Sequence, residues 1–239
     1  MKMLTIDKFQ ELKNWVRRNA RQLELTLWQY EFENGSAEAV LDALAIYQNE
    51  DGGFGNTLEP DNWNPNSTPY TTAYAIGILN AVGLTDKEHP IIKGILRFLD
   101  SGSYWSEFGW QFTIPTNDDY PCAIWWAYKS GDEFDEPSTT AELVSFILEF
   151  APTDTPLYEK AINLVQVLTG IIKDGNMVGD GGAYGFAMLL EVLEKLGLAE
   201  QFKVEFLSEL VHTKLNNAIV KDPEKWSEYG LRPSCLNYS

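Results

Sequence analysis

Apolar residues recur at intervals of three and four along most of this chain, the spacing that lines one face of an α-helix. Ile6, Phe9, Leu12, Trp15 and Val16 form such a stripe and predict a helix over 6–18. Over 21–32 the pattern is mixed, because Leu25, Leu27, Trp28, Tyr30 and Phe32 fit either a helix or an alternating strand. Ser36 follows Asn34-Gly35 and has the side chain of an N-cap. Val40, Leu41, Leu44 and Tyr47 continue that helix, and Asp51-Gly52-Gly53 stops it. Further helices are predicted over 68–82, 90–99, 138–150, 156–172, 183–196 and 202–220, separated at Gly83, Gly102, Ala151-Pro152, Asp174-Gly175 and Gly197. No strand pattern follows residue 35. The expected class is all-α, an array of helical hairpins.

The stretch 120–128, Tyr-Pro-Cys-Ala-Ile-Trp-Trp-Ala-Tyr, decides the layout. In an antiparallel array each helix carries the chain to the opposite end. Read as loop, this stretch leaves the long connections 49–67, 100–137, 173–182 and 221–235 at one end, and the short ones near Gly83, 152–155 and Gly197 at the other. Read as helix, it scatters them. The loop reading is adopted, because loops gathered on one face are how a rigid helical scaffold builds a site.

A repeat runs through the same region. Asn64-Pro65-Asn66-Ser67-Thr68-Pro69-Tyr70-Thr71-Thr72-Ala73 leads into one helix and Asp135-Glu136-Pro137-Ser138-Thr139-Thr140-Ala141 into another. Each follows a helix that ends in a Gly-rich, aromatic turn, at 48–55 and 99–109. A looser copy is Ile171-Ile172-Lys173-Asp174-Gly175, leading to Gly181-Gly182-Ala183. Repeated units of this length are the mark of a ring or solenoid.

Tyr47-Gln48-Asn49-Glu50-Asp51-Gly52-Gly53-Phe54-Gly55 resembles the Q-x-x-D-G-G-F/W-G turn of squalene cyclases and protein prenyltransferases. The turn also occurs in the thioester domains of complement and α-macroglobulin proteins. The resemblance implies an α/α toroid of inner and outer helices, a single domain over 1–239. Within it 36–197 carries the repeats, 1–35 is a helical extension and 221–239 a C-terminal loop. Too few helices are predicted for a closed six-hairpin ring, so an incomplete ring is expected.

Departures from those families limit what is carried over. With only His89 and His212, and neither in a long loop, the prenyltransferase zinc is not expected. Thr116-Asn117-Asp118-Asp119 is similar to the cyclases' D-x-D-D acid motif with the first Asp missing, and Cys122 and Cys235 lack the thioester context. The turn identifies fold better than chemistry.

The formal net charge of −17 argues against nucleic acid and against anionic membrane surfaces. The first twenty residues lack the apolar run of a secretion signal. No apolar run is long enough to span a bilayer. Two widely spaced cysteines suit a reducing cytoplasm.

Six of the eight tryptophans, 63, 105, 110, 125, 126 and 226, fall in the long loops, together with Phe54, Tyr104, Phe108, Phe112, Tyr120 and Tyr229. Glu59, Asp61, Glu107, Asp118, Asp119, Asp174, Asp180 and Asp222 accompany them, while Asp51 reads as ordinary turn chemistry. The candidate catalytic residues are Glu59, Asp61, Asp118 and Asp119. The candidate substrate-binding residues are Trp63, Trp110, Tyr120, Trp125 and Trp126, and no metal site is expected. The segment Glu59-Pro60-Asp61-Asn62-Trp63 ranks first, since it is polar and aromatic yet not needed to make the turn. Arg17, Arg18 and Arg21 are read as pairing with acidic neighbours.

Three readings follow. An isoprenoid-handling protein would use aromatic faces for a carbocation and Asp118 as proton donor, with Mg²⁺ to admit a diphosphate. A carbohydrate-active enzyme would stack a saccharide on Trp63, Trp125 or Trp126 and use two of the four carboxylates as acid and base. A binding or scaffold protein would present the loop face to a partner. The resemblance places the chain with the isoprenoid superfamily.

Overall fold

The computed structural model describes residues 4–106, 109–128, 137–177 and 182–228. Among them are ten α-helices: α1 (Ile6–Asn19), α2 (Gln22–Phe32), α3 (Ala37–Ala45), α4 (Pro69–Ala81), α5 (Pro90–Asp100), α6 (Pro137–Phe150), α7 (Pro156–Lys173), α8 (Gly182–Lys195), α9 (Ala199–Phe202) and α10 (Val204–Ala218). The mixed pattern of α2 resolves as helix. The chain is predominantly helical, as expected.

Helix starts follow their sequence signals. Ser36, Thr68 and Thr155 each accept a hydrogen bond from a backbone N–H of the first turn, and Pro69, Pro90 and Pro156 occupy first helical positions, where no donor is lost. Two ends differ from expectation. α3 stops at Ala45, and residues 46–50 leave the helix before the Gly-Gly pair. The helix expected over 202–220 begins as a separate α10, because Lys203 adopts a left-handed conformation (φ 54°) that breaks it from α9.

α6 is the centre of the packing. It lies against α4, α5, α7 and α8, and every residue in it is buried except Glu142 and Glu149. A helix apolar all round is a core helix. Ser138 and Gly185 bring α6 and α8 together, since the Ser138 hydroxyl accepts from the Gly185 amide at 3.1 Å. α8 in turn packs on α10, and Glu149 pairs with Lys195. α1 lies on α2, where the Phe9 ring stacks on Trp28 (5.6 Å between centroids), and none of its residues is buried.

The Gly-rich turns work as joints between hairpins. Gln48 Nε2 donates to Gly52 O (2.9 Å) within the turn and to Ile91 O (3.1 Å) on α5. Gly52 has φ 97°, and a Cβ there would lie 2.0 Å from Gly94 O, so that position tolerates no side chain. Phe54 is fully buried, and its amide donates to Thr72 Oγ1 of α4 at 3.1 Å. The second unit repeats the device one residue beyond the predicted turn. Trp105–Ser106 and Gly109–Trp110 form a two-residue strand pair, Trp110 is fully buried, and its amide donates to Thr140 Oγ1 of α6 at 3.1 Å. Trp110 is therefore the counterpart of Phe54, and Thr140 of Thr72. In the third unit Gly181 lies outside the described residues, as do Asp135 and Glu136 of the second.

Candidate functional site

Two long connections, described over 46–68 and, save for 107–108, over 101–128, meet and are stitched together through their backbones. Trp63 N donates to Pro121 O (3.0 Å), Ala123 N donates to Asp61 O (2.9 Å), and Asn62 bridges Cys122. Buried amides lock the joint. Asn64 Nδ2 donates to Thr116 Oγ1 (2.9 Å) and Asn117 Oδ1 (2.8 Å), and Asn117 Nδ2 donates to Trp126 O (2.9 Å). The 120–128 stretch is held by these bonds as loop, with only a short 3₁₀ turn at Ile124–Trp126.

At this seam the Glu59 and Asp61 side chains hydrogen-bond to each other. Burial, then the charge of Asp61, then that hydrogen bond raise the Glu59 pKa to about 7, against a smaller opposing pull from Arg21. Glu59 therefore keeps its proton well above the ordinary carboxylate range and releases it only around neutrality. Trp126 Nε1 donates to Asp61 Oδ1 at 2.6 Å, which orients the Asp61 carboxylate. Tyr74, on α4, faces the couple; burial and the neighbouring Glu59 hold its phenol protonated.

Arg21 fixes the other side. Its guanidinium donates to the carbonyls of Thr57 and Leu58 and pairs with Glu24, which together with Glu24's charge raises its pKa against burial. Asn56 and Thr57, just before Glu59, both have positive φ (54° and 62°), a costly pairing for non-glycine residues that these bonds help to hold. Arg17 pairs with Glu33 at 2.8 Å. The basic cluster is thus partly an ordinary set of ion pairs and partly, in Arg21, a clamp on the site. Sequence reading missed that role; the available signal was that no Lys or Arg occurs between Arg21 and Lys87.

The proposed ligand residues separate into two sets. Trp63, Tyr120 and Trp125 stand out in solvent with Ile124, at 58, 39, 59 and 84% exposure. Trp126 is buried, packed on Tyr70 (4.5 Å between ring centroids) and Phe112 (5.2 Å), so it positions Asp61 and is not available as a stacking platform. Trp110 lies in the core beside Trp105 and cannot meet a ligand, a correction to its sequence assignment. Lys160 Nζ stacks over the Trp105 ring at 3.3 Å.

Among the acids, Asp118 Oδ1 accepts the Tyr128 amide at 2.8 Å, a cap that holds the loop. Asp118 and Asp61 both lie near Cys122, where burial and these two charges raise the thiol pKa. Asp119 is exposed. Asp51 accepts from the Gly53 amide (2.9 Å) and Ser67 Oγ (2.7 Å), the turn role expected of it. Glu107, Phe108, Asp180, Tyr229 and Cys235 lie outside the described residues.

Beside the first turn is an open polar recess of about 470 Å³, lined by Asn49, Asp51, Asn56, Asn66, Ser67 and Tyr104 among others. Among the described residues no group of three or more His, Cys, Asp and Glu side chains could hold a metal, and no helix is long and apolar enough to cross a membrane. Comparison of the chain with family models, with curated proteins and with solved structures finds no match in any of the three.

Proposed function

We propose that this chain is a cytoplasmic, non-catalytic binding protein, built on an α/α-toroid-type array similar to that of terpenoid cyclases and prenyltransferases. It meets its ligand with the seam between 46–68 and 101–128. The observation that carries this reading is the stitching of the two connections. Backbone bonds and buried asparagines hold Trp63, Tyr120, Ile124 and Trp125 in water on a rigid base, and exposed apolar groups held together mark interaction surfaces.

The same geometry disfavours the isoprenoid reading in its expected form. Asp118, the expected proton donor for an isoprenoid, caps a backbone amide. The middle of the described helices is filled by α6, where an isoprenoid would need a cavity. One observation favours a second reading, that of an acid catalyst: a carboxyl group with a pKa of about 7 is suited to proton donation, which would assign the role to Glu59.

A thermal-shift screen tests this, using prenyl diphosphates and squalene-like lipids with and without Mg²⁺, oligosaccharides, and basic and acidic peptides. A ligand at 100 times its dissociation constant raises stability by about 2.7 kcal/mol. The binding reading expects a shift that Trp63→Ala with Trp125→Ala removes. A shift from a prenyl diphosphate that survives this double substitution, or turnover lost in Glu59→Gln, overturns it.

A further inference from the structure

The loop face has an electrostatic character that the exposed aromatics alone do not convey. Segment 46–68 contains Glu50, Asp51, Glu59 and Asp61 and no Lys or Arg; segment 101–128 contains Glu107, Asp118 and Asp119 and again no Lys or Arg. The sequence has no basic residue between Arg97 and Lys129. The two guanidinium groups that reach the first segment from neighbouring helices are turned onto its backbone. Arg21 binds the Thr57 and Leu58 carbonyls and Arg97 Nη2 binds Glu50 O at 2.9 Å. Asp118 and Asp119 are exposed at the seam, Glu59 and Asp61 are half-buried beside them, and no described salt bridge pairs a cation with any of the four.

A predominantly negative surface repels phosphate, diphosphate and anionic lipid headgroups, and a neutral saccharide gains nothing from it. A cation gains twice. It is drawn by the carboxylates, and it is attracted to the faces of exposed tryptophan rings, which also cover the alkyl stems of Lys and Arg. Trp63 and Trp125 are the two most exposed tryptophans of the seam, and each is borne by a segment hydrogen-bonded to the other.

We propose that this face docks a Lys- or Arg-bearing segment of another polypeptide, with Trp63 and Trp125 packed on the basic side chains and Asp61, Asp118 and Asp119 around their charges. The inference rests on the reading of the seam as a binding surface and names the chemistry of its partner.

The test is a titration of the whole chain, followed by calorimetry and by amide chemical shifts, with a ten-residue peptide alternating Lys and Ser. The matching Glu–Ser peptide and cellotetraose are run beside it, at 50 and 200 mM salt. The expected result is saturable binding of the Lys peptide alone, about tenfold weaker at the higher salt. Trp63→Ala with Trp125→Ala weakens it at least fivefold, while Glu200→Gln with Glu205→Gln, on the distant α9 and α10, leaves it unchanged. Equal weakening by both pairs overturns the proposal, since binding would then follow net charge alone. Cellotetraose binding in place of the peptide, lost on substitution of the tryptophans, overturns the partner but keeps the binding face. A concentration-dependent dimer dissolved by the same substitutions reassigns the face to a second copy. Failure of all three probes, with the fold intact by circular dichroism, removes both the partner and the binding face.

Discussion

The two Gly-rich units of this chain use one device and end differently. In both, a glycine lets an aromatic residue enter the core and a helix threonine takes its amide: Phe54 to Thr72 in the first, Trp110 to Thr140 in the second. The first unit closes on itself, with Thr68 N donating to Phe54 O at 3.0 Å, so that 55–67 form a loop that leaves and returns beside the helix start. The second takes the longer path from Trp110 to Pro137, and that surplus forms the outer half of the seam. The aromatic residues differ too. Phe54 has no polar atom, whereas Trp110 Nε1 is buried without a hydrogen-bond partner among the described residues. The joint is a requirement of packing, and the surplus chain is where the units become free to diverge.

The strongest way to break the comparison is at the glycines. Gly52→Ala combines φ 97° with a Cβ 2.0 Å from Gly94 O, and Gly109→Ala combines φ 139° with a Cβ 2.3 Å from Thr140 Oγ1. Each substitution costs about 3 kcal/mol in urea unfolding, whereas Gly102→Ala, with φ 73° and open space, costs about 1 kcal/mol. Equal costs at all three would show that close approach is not what the turns require. Next are the threonines. Thr72→Val and Thr140→Val each leave a buried amide unpaired and are expected to cost about 1–3 kcal/mol, by similar amounts if the units are equivalent.

A smaller effect separates the seam from the joints through pH. Glu59 binds its proton more tightly folded than unfolded, so between the ordinary carboxylate range and about pH 7 the folded state holds more protons. Stability from this group is therefore greatest at low pH and declines as pH rises through that window. Glu59→Gln imitates the protonated form; it should be about 1 kcal/mol more stable than the natural chain at pH 8 and no more stable at pH 5. An advantage that persists at pH 5 would show that charge is not its source. The smallest effect sharpens the comparison. Trp110→Phe gives the second unit the aromatic of the first, and removal of an unpaired buried N–H offsets the lost packing, leaving a net change within about 1 kcal/mol. A loss of 3 kcal/mol or more by chemical unfolding would show that the indole N–H has a partner.

Much of the helical framework was legible in the sequence. The starts of α4, α5 and α7 were readable because proline at a first helical position and a capping side chain act within a few residues. α3 was predicted to run too far, because its end depends on Gln48 reaching Ile91 O across to α5, a partner 43 residues away. The candidate site was legible as a list of loop acids and aromatics, and Glu59 and Asp61 do meet. Their roles were not legible. Trp110, Trp126 and Trp125 have the same composition-level signal, yet one is core, one orients Asp61 and one is in solvent.

By itself the sequence determined what depends on near neighbours: helical periodicity, caps, the turn at 48–55, and the lack of Lys and Arg within 46–68 and 101–128. Only the tertiary structure decided which tryptophans face water, that burial raises the Glu59 pKa, and that Arg21 serves as a clamp. Those properties arise from burial and from contacts between residues far apart in the chain, such as the 65 positions separating Trp126 from Asp61. Local pattern carries no record of such distances, because the energy of a buried charge or ring is set by what the fold brings against it.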